Sequence, residues 1–210
     1  MSGAEIKDVV AERVDIVNSF SEVVGPRNER PLVQNVQLRD LRLTRTQIAS
    51  VVFRDVRVDG LKADGQSMFI RGCEFHNVTL LGDVGTIVFT SLLAQDESGV
   101  GDEILERLSL VDSSPGVGLD ISQASGSVEI RGYASRRIKI NSNHQGVMTF
   151  EQAIGGAWRD VDLSRTMFKY PITDLLENGW ADVVLVGNAA SSADVDALAE
   201  LRAAGAVMPR

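Results

Sequence analysis

Residues 31–65 read PLVQN VQLRD LRLTR TQIAS VVFRD VRVDG LKADG, seven groups of five in unbroken succession. The third place holds Val33, Leu38, Leu43, Ile48, Phe53, Val58 and Ala63, and the first holds Pro31, Val36, Leu41, Thr46, Val51, Val56 and Leu61. Arg, Asp, Gln, Lys and Gly sit between and after them. An α-helix returns its apolar face every ~3.6 residues and a flat strand every ~2. Apolar places alternating at spacings of two and three fit neither for long. They fit a chain that makes a short strand, turns a corner and repeats. Four such sides make a square coil of about twenty residues, and such coils stack into a solenoid.

Stacking at the inter-strand spacing of ~4.8 Å sets each inward residue on its counterpart one coil away. Leu38 is then expected near Val58, Leu43 near Ala63 and Ile48 near Met68. Each pair buries apolar surface at about 25 cal/mol per Å², and parallel pairing satisfies the backbone groups between coils. A β-sandwich of plainly alternating strands is the alternative, and seven consecutive five-residue groups weigh against it.

The beat runs on to Met68 and then slips. FIRG is followed by Cys73-Glu-Phe75-His-Asn and Val78-Thr-Leu80-Leu-Gly, the same template displaced by two residues, as a corner insertion would produce. It returns at LSLVD (Leu108, Leu110) and LDISQ (Leu119, Ile121), and again from VEIRG to MTFEQ, where Ile130, Ile140 and Phe150 are ten residues apart. VDLSR and TMFKY (Leu163, Phe168) read as the last beats, closed by Pro171. The acidic, glycine-containing stretch QDESGVGDEILER, residues 95–107, falls off the beat and reads as a corner loop, a common site of binding in solenoids.

The ends differ. Ile6, Val9, Val10, Val14, Val17 and Val24 follow helical spacing with charged residues off that face, so residues 4–24 are expected to be helical, ended by Gly25-Pro26. DVVLVGN (182–188) reads as a strand. Ser191 with Asp194 reads as a cap for a helix over ADVDALAELRAAG, stopped by Gly205. That helix is a candidate cover for the terminal coil or a dimer contact.

Residues 31–65, with CEFHN and VTLLG, resemble the pentapeptide-repeat proteins, whose pattern is a small or apolar residue, Asp or Asn, Leu or Phe, then two free places. The resemblance implies a right-handed quadrilateral β-helix. The expected architecture is therefore mainly β: a right-handed parallel β-helix (solenoid) with N-terminal and C-terminal helical caps. It divides into an N-terminal helical cap and linker (1–30), the β-helix (31–175), and a C-terminal strand with a capping or dimerisation helix (176–210).

Composition narrows the function. The chain has 210 residues, 24% of them charged, a net charge of −8 and 5% aromatics. That balance disfavours direct nucleic-acid binding, which needs clustered cations or stacking platforms. No apolar run approaches the ~18 residues of a membrane span. A single cysteine, Cys73, and acids within the opening apolar stretch suggest a cytoplasmic protein. Cys73 reads as core, and His76 and His144 as surface. No metal, cofactor or nucleophile motif stands out, so no catalytic residue and no cofactor are assigned. The candidate partner-binding residues are Asp96, Glu97, Asp102, Glu103 and Glu106.

These features suggest a non-catalytic, protein-binding solenoid, most concretely a bacterial immunity or antitoxin-type protein that masks a basic toxin surface. The family resemblance implies an alternative, an acidic DNA mimic that dimerises and binds a topoisomerase (DNA gyrase). The cations of the first block run against it, since a DNA mimic should carry acids along its whole length. A β-helix carbohydrate-active enzyme is the third possibility.

Overall fold

The computed structural model describes residues 4–19, 21, 30–63, 68–91, 106, 108, 111 and 115–208. It is mainly β, built on a nine-stranded sheet of parallel pairs curled into a half-barrel. The strands are β1 (Glu5–Glu12), β2 (Asp15–Val17), β3 (Leu32–Thr44), β4 (Ile48–Ala49), β5 (Val52–Ala63), β6 (Met68–Arg71), β7 (Glu74–Thr90), β8 (Leu119–Arg131) and β9 (Ile138–Lys139).

The five-residue beat has a backbone cause. Residues with positive φ recur at Asn35, Asp40, Arg45, Ser50, Asp55 and Gly60, each the last residue of its group of five. Left-handed backbone is readily adopted by Gly, Asn and Asp and resisted by other L-residues. The fifth place of the repeat therefore supplies the corners, and the apolar first and third places face in between them. The corners stack in columns. Asp8, Asn35, Asp55 and Asn77 form one, in which the amide of Asn35 donates to Asp8 (2.6 Å) and that of Asn77 to Asp55 (2.8 Å).

β3 and β5 pair in register at an offset of twenty. Leu38 is opposite Val58 and Leu43 opposite Ala63, as expected. Ile48 lies opposite Ile70 and not Met68. The two extra residues therefore enter between Ala63 and Ile70, earlier than the pattern suggested. The offset is twenty-two between β5 and β7, as in Val58 opposite Leu80, and nineteen between β6 and β7, as in Met68 opposite Ile87. Inward side chains stack between rungs: the rings of Phe53 and Phe75 lie 5.8 Å apart and 6° from parallel, and Phe89 meets Phe75 edge-on at 5.5 Å.

The described residues of the expected N-terminal helix, 4–19 and 21, hold no helix. Glu5–Glu12 and Asp15–Val17 are strands paired parallel to β3, with Val9 opposite Val36 and Ala11 opposite Leu38. The left-handed corners Asp8, Arg13 and Asn18 carry the five-residue beat into this segment. β-Branched valines and a waiting sheet edge overrode a loose helical spacing.

The last expected beats are also not rungs. β10 (Gln145–Thr149) and β11 (Asp182–Val186) form an antiparallel ribbon. Phe150 opens α1 (Phe150–Gly155), and Leu163 and Phe168 precede α2 (Lys169–Asn178), where Pro171 sits in the first turn. The ribbon alternates its faces. Val147 and Val184 pack on the main core, while Met148, Val183 and Leu185 join a second core with α1, α2 and α3 (Ser192–Ala203). The cover over the C-terminal rungs is thus a strand pair, with the helices on its far side. Asp182 fastens it by accepting from the backbone N–H (2.8 Å) and hydroxyl (2.7 Å) of Ser135. The strand at 182–186 and the Ser191-capped helix match the sequence-based expectation, with the Ser191 hydroxyl accepting from the Asp194 N–H.

Candidate functional site

Outward side chains form straight columns across the rungs, because parallel in-register pairing repeats each position. One column runs Lys7, Gln34, Arg54, His76. A second runs Glu12, Arg39, Asp59, alternating in sign as favourable cross-strand pairs do. A third runs Val10, Gln37, Arg57, Thr79, Asp120, Lys139. A fourth sets Asp15 on Arg42 on Lys62. The result is a regular wall of mixed charge.

Asp96, Glu97, Asp102 and Glu103 lie outside the described residues. Glu106 is exposed, and Leu108, two residues on, is buried in the main core. Leu108 and Val111 line a shallow cleft with Phe75, Leu119, Tyr133 and Arg137. In this cleft the Arg137 guanidinium donates to the carbonyls of Pro115 (3.0 Å) and Gly116 (2.5 Å), tying the base of the insertion to the rungs. The Tyr133 hydroxyl donates to the Cys73 carbonyl at 2.9 Å.

The main charged group inside the stack is a cluster that sequence reasoning missed. Arg30 precedes β3, and its guanidinium donates to the carbonyls of Ser50 and Gly72 (both 2.8 Å) and to the Glu74 carboxylate. Ser50 and Gly72 are successive left-handed corners, so Arg30 satisfies carbonyls that the turns take out of the ladder. Glu74, whose side chain is fully buried, neutralises it, and its other oxygen meets His76 Nε2 at 3.4 Å. Both members of the ion pair look like ordinary outward charges in the sequence. Only the stacking of Leu32, Val52 and Glu74, which sets Glu74 two rungs from the residues that follow Arg30, brings them together.

Cys73 is fully buried, and burial pushes its thiol up from 9.0 to about 12 against the lowering pull of the Val51 backbone. A thiol so held is a packing group and a poor nucleophile. His144 lies apart from His76, in the approach to β10; burial lowers its pKa, with a further push from the Arg202 charge. Burial raises Asp120, but hydrogen bonds from Lys139 (2.8 Å) and Ser122 outweigh it and hold the carboxyl below its ordinary value. Among the described residues, no three of His, Cys, Asp and Glu gather closely enough to share a metal ion. Among them, too, no helix is long and apolar enough to cross a membrane.

No protein-family model, curated protein or solved structure matches the chain.

Proposed function

We propose that the chain is a non-catalytic protein-binding solenoid, its rungs forming a right-handed four-sided coil of the pentapeptide-repeat kind, and that it works in the cytoplasm as an immunity or antitoxin-type protein. The observation that carries this reading is the division of charge along the sequence. Residues 31–72 hold seven bases and four acids, whereas residues 83–125 hold eight acids and one base. A rigid wall of mixed sign followed in the chain by a strongly acidic segment suits a partner that is itself a folded, partly basic protein. Complementary fields of this kind speed encounter and fix register more than they add affinity.

The alternative, a DNA mimic that binds DNA gyrase, is supported by the net charge of −8. The Lys7–Gln34–Arg54–His76 column argues against it, because a mimic of a phosphate backbone needs acids where these cations stand. A homodimer through α3 would have to use its outer side, where Val195 is exposed, since Ala197, Leu198 and Leu201 are buried within the chain.

Affinity capture on the immobilised chain from its own cells, followed by identification of the retained protein, tests the proposal. Retention of a basic toxin domain whose activity is lost on binding is the expected result. Retention of topoisomerase with loss of supercoiling would favour the DNA mimic, and no retained protein contradicts both.

A further inference from the structure

Among the described residues, the last rungs of the stack carry a cover and the first carries none. The β10–β11 ribbon lies over the C-terminal end. At the N-terminal end β1 and β2 pair with β3, and no described strand takes their other edge. A bare edge presents a row of backbone N–H and C=O groups to any extended segment that aligns with it.

The side chains on this rung depart from those below. Val10 is 80% exposed and Val17 52%, both pointing outward. Beneath Val10 its column is polar at each further rung, from Gln37 and Arg57 to Thr79 and Asp120, and beneath Val17 stands Thr44. Edges left open to water are normally blunted by charge. Valine at outward places of the terminal rung, where inner rungs carry polar residues, fits an edge that another chain covers.

Charge decides the occupant. The outward places of this rung are Glu5, Lys7, Val10, Glu12, Asp15 and Val17, three acids to one base. A second copy related by a two-fold axis would pair the rung antiparallel with itself. An axis at Glu5, Val10 or Asp15 sets Glu5 on Glu5, Glu5 on Asp15 or Asp15 on Asp15, and like charges directly opposite are destabilising. An axis at Ile6 or Ile16 sets Glu5 on Lys7 or Asp15 on Val17 without conflict, but it brings no cation to Glu12 or Asp15. A strand with lysine or arginine opposite these acids answers all three. The existing pairs Glu5–Lys7 (2.9 Å), Glu12–Arg13 (3.8 Å) and Asp15–Arg42 (3.9 Å) are exposed and yield readily to new partners.

We infer that the β1–β2 edge docks an extended, basic segment of a protein partner, which adds as one more rung. It sets an apolar side chain on Val10 and cationic ones beside Glu12 and Asp15. This rests on the protein-binding reading above and specifies the surface and the chemistry of what binds there.

The probe is the synthetic octapeptide Val-Val-Lys-Gly-Val-Lys-Val-Val, which aligned with residues 10–17 sets valine on Val10 and lysine on Glu12 and Asp15, and the same peptide with glutamate for lysine is the control. Titration followed by amide NMR should perturb residues 5–17 with the lysine peptide alone, and amide exchange there should slow. Val10→Lys and the pair Glu12→Lys/Asp15→Lys should each weaken binding at least tenfold while circular dichroism stays unchanged. The inference is overturned if the lysine peptide does not bind, if it maps elsewhere, if the glutamate peptide binds equally, or if the variants bind as well as the parent. It is also overturned if free Val10→Cys or Ile6→Cys protein oxidises to a dimer linked at that residue, which would place a second copy on the edge. The two levels separate in affinity capture: a partner held equally by parent and Val10→Lys refutes the edge alone, and no partner for either refutes the protein-binding reading beneath it.

Discussion

Replacing Arg45 by glycine should make this protein more stable, although glycine normally weakens a strand-rich region. Arg45 is exposed and occupies a corner at φ 50°. Left-handed backbone costs an L-residue about 1–2 kcal/mol, and glycine removes that cost. Against it, glycine gives the unfolded chain extra freedom worth about 0.4–1 kcal/mol. The balance favours the variant by about 0.5–1 kcal/mol. For a chain of this size that corresponds to a rise in Tm of about 1–4 °C. Arg42 is the control: also exposed, three residues earlier, on β3 and not among the positive-φ residues. Arg42→Gly should lose about 0.5–1 kcal/mol. Thermal and urea unfolding of the two variants beside the parent is the assay. Opposite signs are expected. A fall in Tm for Arg45→Gly, or equal effects at the two sites, would refute the assignment of the fifth place to corners.

Glu74→Ala should cost about 3–5 kcal/mol by stranding the buried Arg30 guanidinium, whereas replacing Arg30 and Glu74 together by leucine should recover most of that loss in urea unfolding. The Cys73 thiol should resist a thiol reagent at pH 8 until the protein unfolds. Because its folded pKa is raised from 9.0 to about 12, its contribution to stability is full below pH 9 and is lost as the pH climbs toward 12. His144 works in the other direction. Its depressed pKa gives stability present above the ordinary histidine value and lost as the pH falls below it, so NMR titration should place His144 under 6.5 and His144→Gln should flatten the acid limb of unfolding. Gly126→Ala should destabilise by more than ~2 kcal/mol, because an added Cβ at φ +118° would lie 2.5 Å from the Gly85 carbonyl oxygen.

The rungs between Leu32 and Ala63 were legible because inward places, outward charges and corner residues repeat together there, and three signals of equal period leave little freedom of register. The corner residues were the strongest of these and the easiest to overlook, since Asn35, Asp40 and Asp55 pass for ordinary surface polarity until their φ values are known. The first rung was misjudged because valines at positions 9, 10, 14 and 17 satisfy a helical count almost as well as a five-residue one, and propensity decides weakly against an available sheet edge. Leu163 and Phe168 kept the look of the beat but pack into the second core. Their apolar spacing says that they are buried and not on what. The Arg30–Glu74 pair could not be read at all. Its members are 44 residues apart, and only the stacking of rungs brings them together.

The central claim is that successive groups of five stack rung upon rung in parallel register. Inter-strand NOEs in solution test it most directly. The account predicts backbone and side-chain contacts from Leu38 to Val58 and from Val58 to Leu80, and from Val9 to Val36 on the first rung. Contacts placing Leu38 and Val58 on strands that are not neighbours, or a helical pattern of sequential NOEs over residues 5–17, would contradict it.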